Sequence, residues 1–152
     1  MAQISFYKQD TSYSPQFKRE IKAWIRATIL AEGKIPGDIS IIHCSDEYLL
    51  EMNKQFLQHD YYTDVITFDY GDGETVSGDI CISIDRVKEN AQKMGVETIV
   101  EDRRIIIHGV LHLIGYQDKT KLKKNQMTIL EDQYLSLYLT NNQGKKVTKK
   151  AK

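Results

Sequence analysis

The sequence predicts one small α+β domain, with a mixed sheet of about four strands packed by helices. Three observations lead there. Strand-like and helix-like hydrophobic periods follow one another in the order β-α-β-α-β-β-α-α-α. Glycine and proline punctuate most of the joins. The 152 residues suit a single core, and neither an internal repeat nor a second core is visible.

The elements follow in order. Residues 2–7 alternate weakly and suggest a first strand. Ser14-Pro15 looks like a helix start, and Phe17, Ile21, Trp24, Ile25 and Thr28 recur at helical spacing over 15–31. Gly33 ends that helix, and Pro36-Gly37 marks a turn before a strand over 38–44. Ser45 caps a second helix that runs to about Phe56, with two acids in its first turn. A polar and aromatic loop over 57–63 leads into a β-rich run, Val65 to Phe68, and the turn Gly71-Asp72-Gly73. The strict alternation over 79–84 makes a strand with Ile80, Ile82 and Ile84 on one face. Three helices complete the pattern: from Asp85 to near Gly95, from about Glu97 to Ile114, and from about Lys124 to Leu139.

Composition is that of an ordinary globular protein, 41% hydrophobic and 28% charged. No apolar run approaches the roughly 18 residues that span a bilayer. The N-terminus lacks the pattern of a secretory signal, so Cys44 and Cys81 are expected as buried free thiols and the protein as cytoplasmic. The formal net charge is zero but uneven. The last twelve residues hold five lysines and no acid, leaving 16 basic and 21 acidic residues elsewhere. Residues 1–140 read as the folded domain and 141–152 as a disordered basic tail, which either solubilises the chain or attracts polyanions.

The informative segment is His108-Gly-Val-Leu-His112-Leu-Ile-Gly115-Tyr-Gln-Asp118. Helical positions i and i+4 share a face, so two imidazoles can aim at one ion. Both histidines lie outside the apolar stripe of Ile99, Ile106, Val110 and Leu113. Gly115 can end the helix and reverse the chain, which returns Asp118 towards them. The spacing His-x3-His-x2-Gly-x2-ligand is that of the metzincin zinc site. Three protein ligands leave a fourth position for water, whose pKa zinc lowers to about 7. One zinc per chain on His108, His112 and Asp118 is therefore expected, although Asp118 also suits a cap or turn residue before the next helix. A zinc peptidase has Glu directly after the first histidine. Gly109 stands there and cannot take a proton from water, which disfavours a peptidase.

At this point the sequence resembles the YbeY family of rRNA maturation factors. Their motif HGxLHLxGYDH matches HGVLHLIGYQD at nine of eleven places, counting the two free ones. The family stretch NxxFRxxDxxTDVLSF resembles the run from Asn53 to Phe68, and its GDIxIS strand resembles Gly78 to Ser83. The resemblance implies a zinc-dependent, single-strand-specific endoribonuclease that matures the 3′ end of small-subunit rRNA and acts in ribosome assembly and quality control. Its implied partners are ribosomal RNA, the small ribosomal subunit and assembly factors, with no membrane and no organic cofactor. Two departures stand out. The family's third ligand is histidine where this chain has Asp118, and its arginine falls on Leu57. A carboxylate is a harder ligand than imidazole. Leucine cannot stabilise a phosphorane, so His59, Lys119 and Lys121 are the candidate substitutes, His59 joining His108 and His112 as a candidate catalytic residue.

Phosphate contacts come from lysine and arginine. Lys119, Lys121, Lys123 and Lys124 follow the motif, and Lys22 and Arg26 belong to a basic stripe on the first helix that also reads as a plain solvated face. Tyr61, Tyr62 and Tyr116 are candidate stacking platforms for single-stranded RNA or else buried tyrosines with satisfied hydroxyls. His43 reads as structural. The two departures motivate a rival reading, a non-catalytic ribosome-assembly factor with a structural or vestigial metal site.

Overall fold

The computed structural model describes residues 2–144, and the predicted elements form there in the predicted order. Strands β1 (Ile4–Gln9), β2 (Ile35–Cys44), β3 (Val65–Asp69) and β4 (Thr75–Ser83) make one mixed sheet ordered β1-β2-β4-β3. Strands β1, β2 and β4 run parallel, and β3 returns antiparallel to β4 as a hairpin partner. Helices are α1 (Lys18–Ala31), α2 (Asp46–Leu57), α3 (Ile84–Met94), α4 (Thr98–Ile114) and α5 (Lys121–Asn141). Residues 145–152, most of the tail expected to be disordered, lie outside the described residues. None of the described helices is long and apolar enough to cross a membrane.

Alternation along the strands sorts side chains to two faces. Ile39 and Ile41 of β2 and Ile80 and Ile82 of β4 join the main core with α1, α4 and α5. Cys44, Cys81 and Ile66 point the other way and pack with Leu49 of α2. Burying an isoleucine contributes about 1.5–3 kcal/mol, and Ile21, Ile25, Ile41, Ile80, Ile82 and Ile106 are all fully buried. Polar groups tie the helices to this core. The Trp24 indole N–H donates to the Tyr134 carbonyl at 2.7 Å, joining α1 to α5. His43, read as structural, lies buried with Nε2 2.8 Å from Asp102 Oδ1 of α4, and the Tyr13 phenol donates to the same carboxylate.

Caps set most boundaries. The Ser45 hydroxyl accepts from the Tyr48 N–H, as the sequence predicts. Thr120 caps α5 the same way, so that helix starts earlier than expected and takes Lys121 into its first turn. Ser83 accepts from the Arg86 N–H, so Ile84 opens α3 instead of closing β4. Phe17 adopts the left-handed region at φ 62°, and α1 begins at Lys18, after the expected proline start. The turn expected at Pro36-Gly37 is the irregular opening of β2, where the register against β4 shifts.

Helix α4 crosses β4 at Gly109. A Cβ built there would stand 2.7 Å from Ile80 Cγ2, with two further Ile80 carbons within 3.4 Å. The residue that leaves a peptidase without its base is thus also where the helix touches the sheet. Gly109→Ala should gain about 1 kcal/mol of helix propensity but lose about 1–3 kcal/mol to overpacking. Urea unfolding should show net destabilisation, and the Gly109→Ala/Ile80→Ala double variant should be more stable than the sum of the two singles. Additive effects would mean that the contact is not what requires glycine.

Burial pushes both thiols up to about 12, with the neighbouring Cys81 adding to Cys44 and Asp79 adding to Cys81. Both cysteines are free and buried. At pH 8 an aromatic disulfide reagent should react with neither in the native protein and with both after denaturation. Fast native labelling of either would contradict their packing against α2.

Candidate metal centre

His108 and His112 stand one turn apart on α4, with rings edge-to-face at 4.5 Å. Gly115 ends the helix at φ 127°, donating to the Leu111 and His112 carbonyls, and the chain turns back. Asp118 Oδ2 then lies 3.3 Å from His108 Nε2 and 3.4 Å from His112 Nε2, while the two Nε2 atoms are 3.0 Å apart. These three residues form a group able to hold a metal ion. A tetrahedral ion with bonds of about 2.0–2.1 Å keeps its ligand atoms about 3.3 Å apart, so the triangle has the right edge.

Proton placement makes the same point. His112 Nδ1 lies 2.9 Å from the Tyr116 carbonyl oxygen, which can only accept, and His108 Nδ1 lies 2.6 Å from Glu131 Oε2. Both rings therefore carry hydrogen on Nδ1 and, when neutral, turn bare lone pairs inward from Nε2. Two such lone pairs and a carboxylate oxygen repel unless a cation lies between them. Imidazole with carboxylate suits a divalent transition metal.

Two acids far away in sequence brace this arrangement. Glu131 of α5 is nearly buried and also accepts from Arg104, whose other nitrogen reaches Asp132. Burial alone would lower the His108 pKa, but the hydrogen bond and charge of Glu131, helped by Asp118 and Asp64, hold it above the ordinary histidine value. Glu32, at the end of α1, accepts from the Tyr116 and Tyr134 phenols. The Glu32 hydrogen bond for Tyr116, and burial for Tyr134, push these phenols up, so both remain donors. Tyr116 supplies the carbonyl that orients His112, so Glu32 pins the loop carrying Asp118. The metal group lines an open cavity of about 350 Å3, walled by Leu57, His59, Tyr61, Asp64 and the start of β3.

A family model described as Endoribonuclease YbeY matches residues 3–138. The chain belongs to the YbeY family. An Endoribonuclease YbeY of Cytophaga hutchinsonii is 47% identical over 88% of this chain and 94% of its own length. One from Parabacteroides distasonis is 45% identical over 88% and 94%. Among solved structures, a Thermotoga maritima protein determined in solution aligns with TM-score 0.62 and 22% identity, covering 95% of this chain and all of that one. That likeness establishes the fold.

The remaining candidates divide by place. His59 lines the cleft, as does Leu57 at the position of the YbeY motif's arginine. Lys119 and Lys121 are exposed just past Asp118, at the start of α5. Lys22 lies over the Phe6 ring and Arg26 reaches the Ala2 carbonyl, so both sit near β1, at the opposite edge of the sheet from β3. The fold does not bring them to the cleft. Tyr62 donates to Glu47 and lies under Arg86, away from the metal group. Sequence reasoning missed three acids here. Asp64 stands within the run from Asn53 to Phe68 that resembles the family stretch, whereas nothing local marks Glu131 or Glu32.

Glu131→Gln keeps the shape but loses the charge that orients His108 and raises its basicity. Calorimetric titration with Zn2+ should show affinity weakened by about 10- to 100-fold with an unchanged circular dichroism spectrum. Wild-type affinity in that variant would show that Glu131 only packs.

Proposed function

We propose that the protein is a zinc-dependent endoribonuclease that hydrolyses single-stranded ribosomal RNA, acting in the cytoplasm on the 3′ end of small-subunit rRNA and in ribosome assembly and quality control. The observation that carries this reading is the convergence of His108 Nε2, His112 Nε2 and Asp118 Oδ2 on an open cleft, in a chain of the Endoribonuclease YbeY family. Zinc suits the mixed imidazole and carboxylate set, and when bound it supplies a Lewis acid that activates water and offsets charge on the phosphoryl oxygens.

The chain's own residues do the rest. His108, His112 and Asp118 hold the ion, with Glu131 and the Tyr116 carbonyl fixing both rings. Gly109 offers no proton acceptor. Asp64, a cleft carboxylate outside the ligand set, would take the proton from water. Lys121, Lys123 and Lys124 occupy the first turn of α5, where no acid stands and the helix dipole is already positive. That crowding of positive charge is unfavourable for an isolated helix and favourable beside phosphates.

Leu57, half-exposed on the cleft wall, favours a second reading, an assembly factor that binds RNA without cutting it. Cleavage of single-stranded RNA separates the two. A chelator should abolish it and Zn2+ restore it. His112→Ala should slow it about 1,000-fold or more, since several kcal/mol of transition-state stabilisation is lost. Asp64→Asn should keep the metal and lose the cutting. If His112→Ala cuts normally, or fully rescues ribosome maturation in cells, the catalytic reading fails.

A further inference from the structure

Of the three tyrosines that the sequence offers as stacking platforms, the structure commits two elsewhere. The Tyr62 phenol is taken by Glu47 and its ring by Arg86, and the Tyr116 phenol is held on Glu32. Tyr61 is different. Its side chain is exposed, at 55%, on the wall of the metal cleft. Its ring lies nearly parallel to that of His59, with centroids 5.1 Å apart and planes 19° from parallel. The Tyr61 hydroxyl and His59 Nδ1, 2.9 Å apart, share a hydrogen bond.

The loop that presents this pair is built rather than loose. Asn53, almost fully buried, donates from Nδ2 to the Tyr61 carbonyl at 2.8 Å. The Asn53 carbonyl in turn accepts from the His59 N–H at 3.0 Å. Gln58 takes the left-handed region at φ 58° to make that turn. Both side chains are open to water on the cleft wall. Here they are pre-stacked, braced and adjacent to the place where a phosphodiester would be cut.

We propose that the stacked His59–Tyr61 pair is a nucleobase platform, on which one unpaired base next to the scissile phosphate lies when single-stranded RNA enters the cleft. The proposal rests on the endoribonuclease reading and adds a subsite to it. A base laid on the free face of the pair extends an existing stack, and the rings lose little freedom on binding. A duplex keeps its bases stacked on one another and has no free face to offer, so the platform also selects single strands.

The test is an abasic scan. Short, cleavage-resistant 2′-O-methyl phosphorothioate oligoribonucleotides are labelled, and binding is read by fluorescence anisotropy. One abasic residue is moved along the strand. One position should weaken binding about 5- to 150-fold, as the loss of a base–aromatic stack does. Tyr61→Ala should bind the intact strand as weakly as wild type binds that abasic strand, and should lose the positional effect. Tyr61→Trp should keep both affinity and effect, which guards against a folding defect. A flat scan with tight binding, or Tyr61→Ala binding like wild type, would overturn the platform and leave the nuclease reading intact. Failure of the wild type to bind any single-stranded RNA would overturn both.

Discussion

The bare backbone of Gly109 against the Ile80 side chain sets how close helix α4 lies to the sheet. The two histidines of the metal centre inherit their position from that contact. Gly109 is the neighbour of His108, and a helix turns about 100° per residue, so a face pressed on β4 leaves His108 and His112 facing sideways. Sideways here means over the start of β3, where the cleft opens. The buried pair of His43 and Asp102 fixes the same helix nearly two turns upstream. A hydrogen bond to a charged group contributes about 1.5–3 kcal/mol, comparable with one fully buried isoleucine. The angle of α4 is therefore held at two points, one steric and one electrostatic.

Charge then determines what the centre can be. Asp118, Asp64 and Glu131 all bear on His108, and Glu101 is buried nearby. Burial, and then its acidic neighbours Asp64 and Glu131, push Glu101 up against the opposing pull of Arg104. A cleft of this kind has an excess of negative charge and two inward lone pairs. It is at ease only around a cation, either a proton on His108 or a metal among the three ligands. The metal satisfies all three ligand atoms at once, whereas a proton satisfies two at best.

Much of this was legible in the sequence because the relevant signals are local. The strand and helix periods gave the element order, and Ser45 gave its cap. His108, His112, Gly115 and Asp118 sit within eleven residues, so their convergence follows from helix geometry and one glycine turn. What was not legible depends on long-range contacts. Glu131 meets His108 across 23 residues and Glu32 meets Tyr134 across 102, and neither acid belongs to a recognisable pattern. The sheet order was open for the same reason, since periodicity says nothing of which strands pair. Lys22 and Arg26 lie away from the cleft, which the sequence could not tell, because charge spacing on a helix shows a stripe without showing where the helix packs. Tyr61 and Tyr62 are adjacent in sequence, and only the packing of Arg86 and Glu47 against Tyr62 tells them apart.

The aspartate at position 118 is best understood together with the lysines that follow it. Where the YbeY motif has a third imidazole, this chain places a carboxylate, which would reduce the net positive charge of a metal-loaded centre by one. An RNA phosphate approaching such a centre would meet weaker attraction from the ion and repulsion from Asp118 itself. At an effective dielectric constant of about 20, one charge at 4 Å is worth about 4 kcal/mol. Screening and solvent reduce that figure, but it remains of the size of a phosphate contact. Lys119 adjoins Asp118, and Lys121, Lys123 and Lys124 follow within the next turns. Leu57 brings no charge from the opposite wall. Positive potential lacking at the ligand set and at Leu57 is thus supplied from one side, at the mouth of α5.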